Sequence, residues 1–186
     1  MVEKLNNSEE LIRRGLLIVE DFYVNDLGSR HKDRMVSTFI DKKINGTENR
    51  GYNTLYENVE YNHAVSNLFN DVVHQHFDVK DTQRPIKAWI YCQNKEHYKL
   101  IWHDHIKTCS INATTYIDTK EGEGSTELSY LHKRYEIIPE KNKIYIWPGW
   151  MAHRPLPPNT DDWRVCVNLE YYTLQRPILR SGGVVW

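Results

Sequence analysis

The sequence predicts a mainly β fold with N-terminal helices (α+β), built around a double-stranded β-helix, or jelly-roll, core. Three observations lead there. Up to about residue 80, apolar side chains recur at helical spacing, whereas from Arg84 onward β-branched and aromatic runs are broken by turn residues. About seven such runs crowd into roughly 90 residues, which leaves no room for alternating helices and points to an antiparallel sandwich or barrel. At 186 residues the chain can bury about 70% of its unfolded surface in one core. A single domain is expected over 1–186: a helical N-terminal layer with an opening strand (1–83), the β-helix core (84–175) and a C-terminal tail (176–186).

Each element has a local reason. Glu9 to Arg14 is short and amphipathic, and Leu16 to Val19 is an apolar run suited to a buried strand. Between Leu27 and Ile44, Met35, Val36, Phe39 and Ile40 fall on one helical face. Between Glu60 and Phe77, so do Ala64, Val65, Leu68, Phe69, Val72 and Val73. The strand runs follow at 86–92, 97–105, 109–117, 127–131, 134–139, 143–147 and 164–174. Their connections have turn chemistry: a flexible Lys120–Ser125, a tight Pro139–Asn142 and a proline-rich Pro155–Asp162.

Charge excludes some partners. Lys and Arg number 24 against 25 Asp and Glu, and the isoelectric point is near 6.8. That balance offers no basic face for nucleic acid or for an anionic membrane, so neither is expected as a partner. The mean hydropathy of −0.68 is offset by 12 Tyr and 6 Trp, which bury large area while keeping one polar tip. Cys92, Cys109 and Cys166 share no metal-binding or disulfide spacing, and Met1 to Gly15 lacks an apolar signal core. A cytoplasmic protein is expected, in which the Asn45-Gly46-Thr47 sequon carries no sugar.

The nine histidines separate by position. His31, His63 and His132 stand alone among polar neighbours, and His74 and His76 lie two apart on a helix, pointing about 200° away from each other. His103 and His105 end an apolar run, where an extended chain puts i and i+2 on one face and Asp104 on the other. They form either half of a divalent metal site, which imidazole suits, or a pair of solvated histidines. Fifty residues on, residues 143–147 run into Pro148-Gly149 and deliver His153 past the corner, where a jelly roll can bring it across to complete a three-nitrogen cap. In 163–171, alternation places Arg164, Cys166 and Asn168 on one face and Val165, Val167 and Leu169 on the other. A buried Arg164 needs an anion, supplied by a ligand or by a structural salt bridge.

These residues resemble the iron(II)- and 2-oxoglutarate-dependent dioxygenase superfamily over about residues 84 to 173, with a weaker echo at Leu16 to Leu27. The shared pattern is an HxH first motif, a Pro-Gly-aromatic turn before a distal histidine, and an arginine about ten residues later. The resemblance implies an oxygenase, most simply a hydroxylase, that couples decarboxylation of 2-oxoglutarate to oxidation of a small-molecule or peptide substrate by dioxygen. It implies Fe(II) held by His103 and His153, with Arg164 anchoring the far carboxylate of 2-oxoglutarate; His105 is expected as the third ligand in preference to Asp104, which only a bulge would swing inward. Lys99, Asn112, Thr114, Tyr116 and Asn168 are candidate pocket residues, of which Asn112, Tyr116 and Asn168 are expected at the cofactor. The sequence departs from the family twice. His105 holds the place of the usual carboxylate ligand, with Asp104 one residue out of register, and Cys166 replaces a frequent Ser. Two other readings stay open: a cupin-like metalloprotein that uses three histidines without 2-oxoglutarate, and a jelly-roll binding module in which they are incidental.

Overall fold

Alternation along the strands of the larger sheet gives each one a face toward the helices and a face toward a second sheet, as the computed structural model shows. It describes residues 6–24, 27–43, 59–80, 85–96, 100–119, 124–158 and 160–186. In order the elements are β1 (Asn6–Asn7), α1 (Glu9–Arg13), β2 (Ile18–Asp21), α2 (Leu27–Lys43), α3 (Val59–His76), β3 (Phe77–Asp78) and β4 (Lys87–Gln93). Then follow β5 (Ile111–Ile117), β6 (Thr126–Tyr130), β7 (Lys133–Ile137), β8 (Lys143–Pro148), β9 (His153–Pro155), β10 (Arg164–Tyr171) and β11 (Ile178–Leu179). The larger sheet has the order β2-β8-β5-β10-β4, with every neighbouring pair antiparallel. The smaller has the order β1-β7-β6-β9, in which only the β1–β7 pair is parallel. Two sheets face to face with helices outside one of them are the expected jelly roll.

Two apolar clusters hold the layers. Met35 and Phe39 of α2, with Tyr61, Val65, Phe69 and Val73 of α3, pack on Ile90, Ala113, Ile146, Val165, Val167 and Leu169 of the large sheet. Between the sheets, Leu128, Tyr135 and Ile137 meet Tyr116, Tyr145, Trp147 and Cys166, and Leu11, Leu16 and Leu17 close one edge. Burying each large apolar side chain contributes roughly 1.5–3 kcal/mol. Cys92, Cys109 and Cys166 are all buried and joined by no disulfide. The tail packs back on the fold: the Trp186 indole N–H donates to the Gly15 carbonyl at 2.7 Å, and its ring meets Phe77 at 4.5 Å.

Three expectations shift. The opening strand starts at Ile18 rather than Leu16, because Leu16 and Leu17 turn into the inter-sheet cluster. His153 begins a short strand that pairs with Leu128, within a stretch expected to be a turn and loop. The run at 97–105 is not a strand over its described part: residues 100–105 are irregular apart from a single bridge at His103. The bridge partner is His153, just past the Pro148–Met151 corner, and no ladder extends from the pair. Lys99, the sequon at 45–47 and the loop at 120–123 lie outside the described residues. No described helix is long and apolar enough to cross a membrane.

Candidate metal centre

The corner after β8 builds the site. Gly149 donates to the Ser110 carbonyl at 2.9 Å, and a Cβ at Gly149 would lie 2.3 Å from the Cys109 carbonyl oxygen, so this close crossing requires glycine. The Gly149 carbonyl then accepts the His105 N–H at 2.8 Å. Two positions along, His103 and His153 exchange both amide hydrogen bonds, at 3.0 and 2.8 Å. Two backbone segments are thereby held side by side, and the alternation expected of a strand survives without one. Asp104 points away, its carboxylate accepting the Ile106 N–H at 3.2 Å.

The result is one cluster: a nitrogen from each of His103, His105 and His153 lies within 4.8 Å of the others. Ring centroids are 4.3 Å apart for His103 and His153, 5.1 Å for His105 and His153, and 5.3 Å for His103 and His105. Each Nδ1 is already committed. His103 donates it to the Ile101 carbonyl at 3.0 Å and His153 to the Met151 carbonyl at 3.1 Å, since a carbonyl can only accept. His105 directs it to Glu170 Oε1 at 2.6 Å. The lone pairs left over are those of Nε2, the arrangement a divalent ion needs from neutral imidazoles. Burial favours the neutral form: it lowers the His103 pKa and pushes that of His153 down to about 3, and the neighbouring histidines add to the effect. The donor set therefore fits a first-row divalent cation held on one side only.

A cavity of about 370 Å³ opens from this cluster, walled by Trp89, Tyr91, Ile101, Thr114, Thr126, Trp147, Pro155, Cys166 and Asn168, and it reaches Arg164. Arg164 is 1% exposed. Its guanidinium donates to Gln93 Oε1, to Thr126 Oγ1 at 2.9 Å and to the Leu156 carbonyl at 3.5 Å, and lies 4.9 Å over the Tyr116 ring. None of these partners is anionic, and Nε has no hydrogen bond. The nearby acid Glu127 is already paired with Arg154. Among the described residues no carboxylate neutralises Arg164, so a buried cation faces the cavity, an unusual arrangement unless an anion visits.

The expected residues divide. His103, His105, His153, Arg164, Thr114 and Asn168 line one cavity, Thr114 Oγ1 donating to Asn168 Oδ1. Tyr116 lies behind the guanidinium and hydrogen-bonds Thr126 at 2.8 Å. Asn112 is buried on the same sheet face, in register with Trp147 and Glu170, with Oδ1 unpartnered. Neither Tyr116 nor Asn112 lines the cavity. Sequence reasoning missed Gln93, Thr126, Trp89 and Glu170. Only Glu170 carried a signal: it continues the 164, 166, 168 alternation by one more step. Its carboxylate also accepts from Thr108 Oγ1 at 3.0 Å, and Lys87 Nζ is 3.8 Å away. Burial raises its pKa, but the bond from His105, that from Thr108 and the charge on Lys87 together take it below the usual carboxylate value.

No protein-family model and no curated protein matches the chain in sequence. Solved structures match in fold. A prolyl hydroxylase from Trichoplax adhaerens, in complex with a hypoxia inducible factor oxygen degradation domain peptide fragment, aligns at TM-score 0.60 and 12% identity, over 88% of this chain and 86% of that one. A prolyl-4-hydroxylase from Pseudomonas putida aligns at 0.54 and 7% identity, over 94% and 96%. A non-heme alpha ketoglutarate dependent carbocyclase from nogalamycin biosynthesis aligns at 0.53 and 11%, over 96% and 90%. With its antiparallel sheets and helical outer layer, the chain has the jelly-roll fold of the 2-oxoglutarate-dependent oxygenases.

Proposed function

We propose that the chain is an Fe(II)- and 2-oxoglutarate-dependent oxygenase, a hydroxylase that couples decarboxylation of 2-oxoglutarate to oxidation of a small-molecule or peptide substrate by dioxygen. The observation that carries this reading is a buried guanidinium with no carboxylate partner among the described residues, in the same cavity as three converging histidines. His103, His105 and His153 would hold Fe(II), and Arg164 would take the far carboxylate of 2-oxoglutarate through charge-assisted hydrogen bonds. Bound iron would supply the redox chemistry with dioxygen.

The chain's own groups do the rest. The Nδ1 protons stay on the rings, fixed by Ile101, Met151 and Glu170, so the three lone pairs are aimed before any ligand arrives. Gln93 and Thr126 hold the guanidinium from the sides and Tyr116 from behind, which orients it toward an incoming carboxylate. Asn168, in the cavity wall, would touch 2-oxoglutarate, with Asn112 acting from behind the wall. Trp89, Tyr91 and Trp147 exclude water, which strengthens each of these interactions. Three buried thiols in no disulfide, and a charge balance that attracts neither nucleic acid nor membrane, favour a cytoplasmic enzyme.

Anaerobic addition of Fe(II) and then 2-oxoglutarate should produce a weak visible charge-transfer band. Arg164→Met should lose the 2-oxoglutarate dependence and keep the metal, with a thermal midpoint unchanged or raised because an unpaired buried charge is removed. Metal binding without the band in the wild type would instead favour the cupin-like reading, to which the third histidine in place of a carboxylate also points. Folded protein that takes up no metal would leave only the binding module.

A further inference from the structure

We propose that Glu170 delivers, through His105, the negative charge that a carboxylate ligand at position 105 would bring to the metal directly. The inference rests on the three-histidine metal site proposed above. Three neutral imidazoles leave a divalent ion with its full charge, whereas two imidazoles and a carboxylate leave it with one unit less. Here the missing carboxylate sits one hydrogen bond away, with Glu170 Oε1 at 2.6 Å from His105 Nδ1.

The placement is specific in several ways. Glu170 is 5% exposed on the cavity side of β10, and a buried carboxylate is retained only where its charge is used or compensated. Its cationic neighbour compensates weakly: Lys87 Nζ is 3.8 Å away on a side chain 56% exposed, and Glu170 Oε2 accepts no hydrogen bond. Thr108 fixes Oε1 at 3.0 Å from the far side of the turn that follows His105. One oxygen is thus held between the ligand and a second group from the ligand's own loop. The Nδ1 atoms of His103 and His153 meet backbone carbonyls, so among the described residues His105 is the one ring of the three whose Nδ1 is backed by a full charge. Polarised in this way, its imidazole becomes the most basic of the three donors. Glu170 is therefore a positioning and charge-supplying residue, and it touches neither the metal nor the substrate.

The test uses metal-stripped full-length protein, Co(II) as probe, and the visible cobalt spectrum as readout. The thermal midpoint of each metal-free variant monitors folding. Glu170→Gln can still accept from Nδ1 but carries no charge, and Co(II) affinity should fall about 10- to 100-fold. His105→Asp puts two carboxylates side by side and should also bind more weakly than wild type. The double variant His105→Asp with Glu170→Gln returns one negative charge to the site and should bind more tightly than either single variant. A residue needed only for folding would lower the midpoint and show no such rescue. Wild-type affinity in Glu170→Gln, or a double variant no tighter than the singles, overturns the inference while leaving the three-histidine site standing. A wild type that binds no Co(II) overturns both.

Discussion

The two faces of the large sheet are made by the same strands and are buried almost equally, yet their chemistry is opposite. Toward the helices stand Ala88, Ile90, Ala113, Ile144, Ile146, Val165, Val167 and Leu169. Toward the small sheet, one residue out of phase, stand Trp89, Gln93, Asn112, Thr114, Tyr116, Arg164, Cys166, Asn168 and Glu170. Gln93 Nε2, Asn112 Oδ1, Trp147 Nε1 and Arg164 Nε, all on the second face, are buried without a hydrogen bond. Each such atom costs about 1–3 kcal/mol relative to a satisfied one. The helix face thus provides stability, and the cavity face gives some of it up to keep donors and acceptors uncommitted. Burial alone does not say which face is which; the partners do.

The sharpest break of this comparison is a charge moved across it by one residue. Arg164 is tolerated on the cavity face, whereas Val167→Asp on the helix face would lie within the buried apolar cluster that α2 and α3 form with the sheet. The expected cost is more than about 4 kcal/mol, a large part of the stability of an ordinary domain. Circular dichroism melts should show the variant unfolded, or melting far below wild type. A midpoint within a few degrees would mean that the helix layer does not seal that face.

The comparison also explains what the sequence made legible. The alternation through 164–169 assigned both faces of β10, because period two is a local property that pairing preserves. His103, His105 and His153 do converge, although the described residues at 100–105 form no strand. Residues 103 and 105 do share a side, but through three backbone hydrogen bonds, one to Gly149 and two to His153, rather than a strand, and a crossing set by tertiary contact leaves no local pattern. Thr126 and Gln93 were invisible for the same reason: a Thr and a Gln at strand ends mean nothing until the fold brings Arg164 between them. Glu170 was legible and was passed over, since the alternation reading stopped at residue 169.

Of intermediate size is the effect of pH on the metal-free protein. The helix face of the sheet is mostly apolar, with Glu20 at its β2 edge lying 2.9 Å from His76 of α3, whereas the clustered histidines lie across the cavity side. Burial takes His153 from an ordinary value of 6.5 down to about 3. Between those values the unfolded chain holds a proton that the folded chain refuses. The contribution of His153 is therefore whole above about pH 6.5 and is lost as pH falls toward 3, and His103 acts in the same direction. Thermal midpoints measured with a chelator present should drop steadily from pH 7 to pH 5, and His153→Gln, neutral at every pH, should flatten that slope. An unchanged slope would show that His153 is not held neutral by its burial.

The smallest effect sharpens the comparison most, because it asks whether an uncommitted atom serves a ligand or merely weakens the wall. Asn112 is 1% exposed, its Oδ1 accepts no hydrogen bond, and it lies behind the cavity between Trp147 and Glu170 in register. Asn112→Leu, nearly the same shape, removes the orphan and should stabilise by about 1 kcal/mol, or about 2–4 °C for a chain of this size. If Asn112 acts only from behind the wall, the rise in midpoint produced by Co(II) with 2-oxoglutarate should be the same in the variant and the wild type. If that rise shrinks while the rise with Co(II) alone persists, the Asn112 amide reaches 2-oxoglutarate directly, and the cavity extends one residue deeper along β5 than its walls show.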